Sequence, residues 1–132
     1  MGNLHRSSAL ILNQTAAATA TFNGASTALR PGNDSIPDFQ HEFAVVFTST
    51  VANAASTPSL TVKLQTSWDG TTWLDVVAAT AITADGTNSE YKSIAALKLG
   101  PFVRAVATIS GTVSYTGDVR LISNAHFTVA PV

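Results

Sequence analysis

The sequence predicts a single all-β domain, a β-sandwich or jelly roll of about eight to nine short antiparallel strands. No window shows the i, i+3, i+4, i+7 apolar stripe of an amphipathic helix, and Glu and Lys, the usual surface residues of helices, are few. Short runs of alternating apolar and polar residues recur along the chain instead. Turn sequences rich in Gly, Asn and Asp separate these runs about every ten residues.

The clearest strand is predicted over residues 60–68, where apolar and polar side chains alternate. Trp68 is in phase with the apolar set, which predicts that it lies on the buried face. Asp69-Gly70 follows directly and predicts a hairpin turn, because Gly accepts the positive φ that such turns demand. The return strand begins at Trp73, whose position is less constrained, so Trp73 is the candidate for an exposed contact.

The other strands are predicted from weaker patterns. The segment 42–50 is apolar on both faces, as expected of a central strand. Residues 8–13 and 16–22 are predicted to form an opening pair, although the Ala-rich second run is also compatible with a helix. Thr116-Gly117 is predicted to be a turn. The remaining predicted strands are 81–84, 89–97, 102–109, 112–115 and 118–123, followed by an extended tail.

The length of 132 residues fits one domain, and there is no internal repeat or low-complexity linker. We expect a single β-sandwich domain over 1–132, with extended arms at 1–8 and 126–132. The chain contains no cysteine, which excludes a disulfide scaffold and a thiolate metal site. Its apolar runs are too short for a membrane-spanning helix, and the run at 9–12 is too short for a signal peptide. We therefore expect no membrane association and assembly in a cytoplasm.

Charge is scarce in this sequence. Only 11% of the residues are charged, against about 25% in an average soluble domain, and the net charge is -1. The basic residues are too dispersed to form the stripe that binding to nucleic-acid phosphates requires, so no nucleic-acid partner is expected. The low charge indicates either a surface partly covered by neighbouring subunits or a surface kept soluble by Thr and Ser hydroxyls.

No pattern in the sequence indicates catalysis. There is no G-x-S-x-G nucleophile elbow and no phosphate-binding glycine loop. His5, His41 and His126 lack the spacing of a zinc site, and the Asp-Gly pairs are better explained as turn formers than as calcium ligands. We therefore expect no enzymatic activity, no catalytic residues, no cofactor and no metal.

The segment Leu64–Val76 reads LQTSWDGTTWLDV. It resembles segments of small β-sandwich structural proteins of tailed-bacteriophage virions, and the later stretches GPFVRAV (100–106) and GDVRL (117–121) are similar in character. The resemblance covers the C-terminal half and brings no catalytic or ligand residues with it. It implies a virion component: a capsid decoration or cement protein or, alternatively, a tail or head–tail connector subunit.

The partners that this resemblance implies are other virion subunits, either the major capsid protein or tail and neck proteins, together with further copies of the chain in a homo-oligomer. The implied location is the virion. An extended arm can add a strand to the open sheet edge of a neighbour. A carbohydrate-binding or host-adhesion module that uses Trp73 is the alternative from another class. The residues predicted to contact partners are Leu4, His5, Arg6, Trp73, His126 and Phe127.

Overall fold

The computed structural model describes residues 7–31, 42–54, 59–95, 99–110, 113–123 and 127–131. Within these ranges the chain forms ten β-strands, and no segment is helical. The strands are β1 (Ser7–Ala18), β2 (Phe22–Asn23), β3 (Thr27–Pro31), β4 (Glu42–Ala52), β5 (Leu60–Ser67), β6 (Leu74–Ala78), β7 (Gly86–Ala95), β8 (Phe102–Ile109), β9 (Ser114–Ser123) and β10 (Phe127–Pro131).

The strands form two antiparallel sheets. A four-stranded sheet has the order β1-β9-β4-β7, and a six-stranded sheet has the order β10-β3-β8-β5-β6. Strand β2 also pairs with β8, and it lies next to β3 along the same side of that strand. The predicted all-β sandwich is therefore confirmed, whereas its jelly-roll form is not.

The core lies between the two sheets and is made by alternate residues of their inner faces. In β5 the inward residues Leu60, Val62 and Leu64 are buried, whereas Thr61 and Lys63 between them are only partly covered. Fully burying one such side chain contributes about 1.5–3 kcal/mol to folding, so the period-2 pattern of the sequence fixes which face of each strand turns inward. The largest fully buried side chains of the four-stranded sheet are Val45, Phe47, Tyr115, Val119 and Leu121.

The strand β4 has the central position that its two apolar faces predict, between β9 and β7. Strands β5 and β8 also match their predicted ranges, apart from Trp68. The segment predicted at 81–84 is not a strand, because only Ile82 forms a bridge, to Leu60 of β5. The backbone around Ile82 nevertheless continues the edge of the six-stranded sheet, with hydrogen bonds to Ser59 and Leu60.

Two predictions of local structure are wrong. The segments 8–13 and 16–22 do not pair with each other, because β1 runs from Ser7 to Ala18 and pairs with β9. Thr116-Gly117 is not a turn but part of β9, which continues from Ser114 to Ser123. Gly117 is needed there for a different reason: a Cβ atom at this position would collide with the carbonyl oxygen of Thr48 in the neighbouring β4.

The segments predicted as arms enter the sheets as far as the structure describes them. Ser7 and Ser8 pair with β9, and Phe127–Pro131 forms β10, which pairs with β3 along its whole length. The described part of the C-terminal segment therefore forms an edge strand of the chain's own sandwich. Residues 1–6, 124–126 and 132 lie outside the described residues. In the described ranges no helix is long and apolar enough to cross a membrane.

Candidate interaction surface

The turn between β5 and β6 is fixed by the carboxylate of Asp69. Its Oδ1 accepts hydrogen bonds from the backbone N–H groups of Thr71 and Thr72, each at 2.8 Å, and from the Ser67 hydroxyl at 3.0 Å. These donors, the Thr72 N–H foremost, hold the pKa of Asp69 well below its usual range. Gly70 has a φ of 83°, which confirms the predicted role of Asp69-Gly70 in the hairpin.

Of the two tryptophans beside this turn, Trp68 is not buried as predicted, and Trp73 is more covered than a candidate for an exposed contact. Trp68 is 63% exposed, because β5 ends at Ser67 and Trp68 therefore lies in the bend beyond the cover of the opposite sheet. Trp73 is half-buried, since the guanidinium of Arg104 lies over its ring with Cζ 4.4 Å from the ring centroid. The exposed aromatic side chain of the hairpin is thus Trp68 and not Trp73.

The loop after residue 98 supports this end of the sandwich. The Thr66 hydroxyl donates to the carbonyl of Phe102 at 2.9 Å and accepts the N–H of Gly100 at 2.7 Å. A Cβ atom on Gly100 would lie 2.6 Å from the Ser67 carbonyl oxygen and 3.0 Å from the Trp68 ring. Gly100 therefore permits the close backbone approach on which the position of Trp68 depends.

Arg104 is the end of a polar network on the outer face of the six-stranded sheet. Gln65 of β5 is opposite Arg104 of β8 on one side and Asp75 of β6 on the other, which places the three side chains in one row. Arg104 Nε donates to Gln65 Oε1, and Gln65 Nε2 donates to Asp75 Oδ1, both at 2.8 Å. Lys63 of β5 joins this network through its Nζ, which lies 3.1 Å from Asp75 Oδ1.

This network holds its members in defined positions. Gln65 is only 9% exposed and uses both ends of its amide. The Gln65 amide, followed by the Lys63 ammonium, lowers the pKa of Asp75, so this carboxylate is ionised at neutral pH. Because Asp75 is neutralised by Lys63, Arg104 is left as the uncompensated charge of the cluster.

A groove of about 320 Å³ opens between β7 and the segment that follows β6; Phe47, Ser49 and Ile82 are among the residues that line it. The Glu90 carboxylate spans it, accepting the N–H of Thr80 at 2.9 Å and the Thr80 hydroxyl at 3.0 Å. Glu90 and Thr80 therefore link the two sheets across the groove. Among the described residues no three His, Cys, Asp or Glu side chains are close enough to hold a metal ion.

Only one of the predicted contact residues has a described side chain. Trp73 lies on the outer face of the six-stranded sheet, and Phe127 begins β10 at a sheet edge, although its side chain is outside the described part. Leu4, His5, Arg6 and His126 lie outside the described residues. Sequence reasoning missed Arg104 and Gln65 as site residues. The available signal was the one charged residue of β8, Arg104, whereas Gln65 is one of several polar residues on the outer face of β5.

Large hydrophobic side chains are exposed at several points of the described surface. Leu74, at the start of β6, is 55% exposed close to Trp68 in sequence. Tyr91 of β7 is 62% exposed, and Leu10 of β1 is 38% exposed. Trp68 and Leu74 flank the β5–β6 turn and belong to the same end of the sandwich. The exposed side chains of Trp68 and Leu74 mark this end as the candidate interaction surface.

Comparison with known proteins assigns no family to the chain. No protein-family model matches it, and neither does any curated protein. Among solved structures it is similar to the infectious bursal disease virus Gt strain, with 16% identity and a TM-score of 0.33. It is also similar to the VP2 subviral particle of the same virus, with 12% identity and a TM-score of 0.38.

These alignments cover 92% and 96% of this chain but only 31% and 33% of the viral chains. The chain thus spans about a third of the length of the structures that it matches.

Proposed function

We propose that this chain is a structural subunit of a virus particle, which acts through repeated protein–protein contacts and catalyses no reaction. The observation that carries this proposal is the exposure of Trp68, Leu74 and Tyr91, each more than half exposed, on a chain with only 11% charged residues. Exposed apolar side chains on a weakly charged surface are stabilised when neighbouring subunits cover them.

The sheet edges support the same proposal. Among the edge strands, β6 carries Asp75, β7 carries Glu90 and Lys92, and β10 ends in Pro131. Charge and proline are the usual protection of an edge against pairing with another chain. The twelve-residue β1 carries neither, and only two register shifts interrupt its pairing with β9. It is therefore the edge most suited to accept a strand from a neighbour.

The more specific form of the proposal comes from the sequence resemblance. We infer a tailed-bacteriophage virion as the particle and capsid decoration or cementing as the role. A cement protein stabilises a closed shell because many modest contacts act together on one lattice. Its partners are the major capsid protein and further copies of the chain, and its assembly takes place in the host cytoplasm. A tail or head–tail connector subunit is the alternative role.

Deleting the gene from the phage or prophage genome that carries it separates these roles. For a decoration protein, particles form but release their DNA at a lower temperature, and adding the purified chain restores the original temperature. For a connector, filled heads accumulate without tails. For an adhesion module, particles have normal stability but adsorb poorly to cells. If purified particles contain no peptide of this chain by mass spectrometry, the structural role is wrong.

Surface variants connect the outcome to the observation on which the proposal rests. We expect Trp68→Ala combined with Leu74→Ser to weaken incorporation into particles at least about tenfold, because burial of two large side chains is lost. Thr108→Ala, at an exposed position of β8, is the matched control and should be incorporated normally. Deleting residues 1–6 leaves β1 intact and tests separately whether an N-terminal arm contributes.

A carbohydrate-binding role is the second candidate, and the structure moves its centre from Trp73 to Trp68. The exposed Trp68 ring is followed by Asp69, and a bare aromatic ring beside polar groups is suited to stack on a sugar. Binding on a glycan array that is abolished by Trp68→Ala, but retained by Leu74→Ser, would favour this candidate.

A further inference from the structure

We propose that Arg104, held against Trp73, is an anchor for a carboxylate side chain of a neighbouring protein chain. The inference rests on the proposed structural role, because it names the chemistry by which one of the contacts is made. It concerns the outer face of the six-stranded sheet, beside the β5–β6 turn. Arg104 lies in β8 and Trp73 immediately before β6.

The guanidinium of Arg104 is fixed but not saturated. It has five N–H donors, of which the Nε–H is used by Gln65. The Nη groups have no hydrogen-bond or ion-pair partner in the described part of the chain. The buried polar atoms that lack a partner in this part of the chain do not include the Arg104 Nη atoms. The Nη groups therefore reach solvent. The free donors form the planar fork that binds a carboxylate through two parallel hydrogen bonds.

The surrounding side chains reduce the entropy that Arg104 would lose on binding. The Trp73 ring supports the guanidinium plane on one side, and the Gln65 amide fixes its Nε. Gln65 is in turn held by Asp75, and Asp75 by Lys63. An arginine already ordered in this way loses few rotamers when a partner binds, which is the basis of affinity gained by preorganisation.

The same contacts favour a protein carboxylate over a sugar or a nucleic acid. A sugar needs a bare aromatic face, but Arg104 covers one face of Trp73. A nucleic acid needs several unpaired cations, whereas Lys63 is already paired with Asp75. An aromatic ring and an ordered arginine are typical of a protein-binding hot spot.

Fluorescence titration tests this site directly. In a Trp68→Phe background Trp73 is the only tryptophan of the chain, so its emission reports binding at Arg104. The probe is hexaglutamate, and we expect a saturable change with half-saturation on the order of millimolar. Arg104→Lys should weaken binding roughly tenfold because the planar fork is lost, and Arg104→Gln should abolish it.

Arg120→Gln is the matched control, since Arg120 is an exposed arginine on the opposite sheet, and it should bind hexaglutamate like the parent protein. Circular dichroism verifies that each variant is folded, and the NMR signal of the Arg104 Nε–H gives a readout that does not depend on tryptophan. Hexaglutamate binding that is unchanged by Arg104→Gln overturns the proposal. So does a lack of saturation, or tighter binding of sialyllactose, a glycan that also carries a carboxylate.

The outcomes are distinguishable from those for the proposed function. A chain that is found in particles but does not bind hexaglutamate contradicts the anchor and leaves the structural role intact. A chain that binds hexaglutamate through Arg104 but is absent from particles contradicts the structural role and leaves the anchor as a binding site.

Discussion

At the scale of single residues, Tyr115 is a polar group placed fully inside the core. Its ring stacks against Phe22 with the centroids 6.3 Å apart, and its side chain has no exposed surface. The hydroxyl has no well-aligned hydrogen-bond partner among the described residues, although Ser49 is close enough to act on it. Burial, reinforced by the charge of Asp118, raises the pKa of Tyr115 to about 12.

Tyr115→Phe is expected to change the response of the fold to alkali. Since the folded pKa is above the ordinary value of 10.0, the native state holds this proton more tightly than the unfolded chain. The resulting stabilisation is complete below pH 10 and is lost as the pH rises through 12, up to about 3 kcal/mol. Without the hydroxyl this loss is absent, and at pH 8 the variant should be equally stable or about 1 kcal/mol more stable.

Urea unfolding of both proteins between pH 8 and pH 12 measures this difference. The control is Tyr91→Phe, because the Tyr91 side chain is 62% exposed and should leave the alkaline dependence unchanged. Parallel pH curves for Tyr115→Phe and the parent protein would show that the buried phenol is not responsible.

The same scale shows what the sequence could not predict about the candidate site. The alternation of β5 correctly predicts that Gln65 points away from the core, but it also places Trp68 inside, because a pattern does not show where a strand ends. Arg104 is far from Trp73 in sequence, and their contact depends on the pairing of β8 with β5 and of β5 with β6. Such pairing is a tertiary property that no local pattern contains.

At the scale of elements, the contact between Glu90 and Thr80 ties the edge of one sheet to the other. Glu90 belongs to β7 in the four-stranded sheet, and Thr80 follows β6 in the six-stranded sheet. Lys92 adds an ion pair at 3.1 Å. The Thr80 N–H is the main cause of the lowered pKa of Glu90, so the contact depends on the ionised carboxylate.

Glu90→Gln is therefore expected to loosen the segment 79–85 and to cost about 1 kcal/mol at pH 7. Because the folded pKa lies below the ordinary value of 4.5, this stabilisation is present above that pH and is lost as the pH falls further. The difference between the two proteins should thus shrink at pH 3. Urea unfolding at both pH values measures it, and hydrogen exchange at Ile82 reports the local opening.

Lys92→Gln is the comparison for this prediction, since it removes the ion pair but keeps both hydrogen bonds to Thr80. An exposed ion pair contributes little, so this variant should remain close to the parent protein. If Lys92→Gln destabilises the protein as much as Glu90→Gln does, the hydrogen bonds are not the important part of the contact.

The strands themselves were predictable where one face is buried and the ends are marked by turn residues. Both conditions hold for β8, whose range agrees with the prediction. The second condition is not met in β9, because Gly117 is a typical turn residue but lies inside the strand. The actual requirement is room for the β4 backbone at Thr48, and this requirement appears only once the two strands are paired.

At the scale of the whole molecule, the question is whether β10 stabilises this domain or acts as an arm that binds a neighbouring subunit. We expect truncation after Ser123 to lower the free energy of unfolding by about 2 kcal/mol or more, because the ladder between β10 and β3 is lost. The newly open edge of β3 should also promote self-association. Urea unfolding and sedimentation velocity of the truncated chain measure both effects, and unchanged stability would support the arm instead.

The pairing of β1 with β9, and of β3 with β10, has a consequence for the time at which the protein can fold. Each of these ladders joins a strand near the beginning of the sequence to one near its end. Strand β1 cannot pair until β9 has left the ribosome, and β3 cannot complete its pairing until β10 has done so. The strand β1, uncharged and twelve residues long, spends that interval unpaired. The newly made chain is therefore most exposed to aggregation before β9 and β10 emerge.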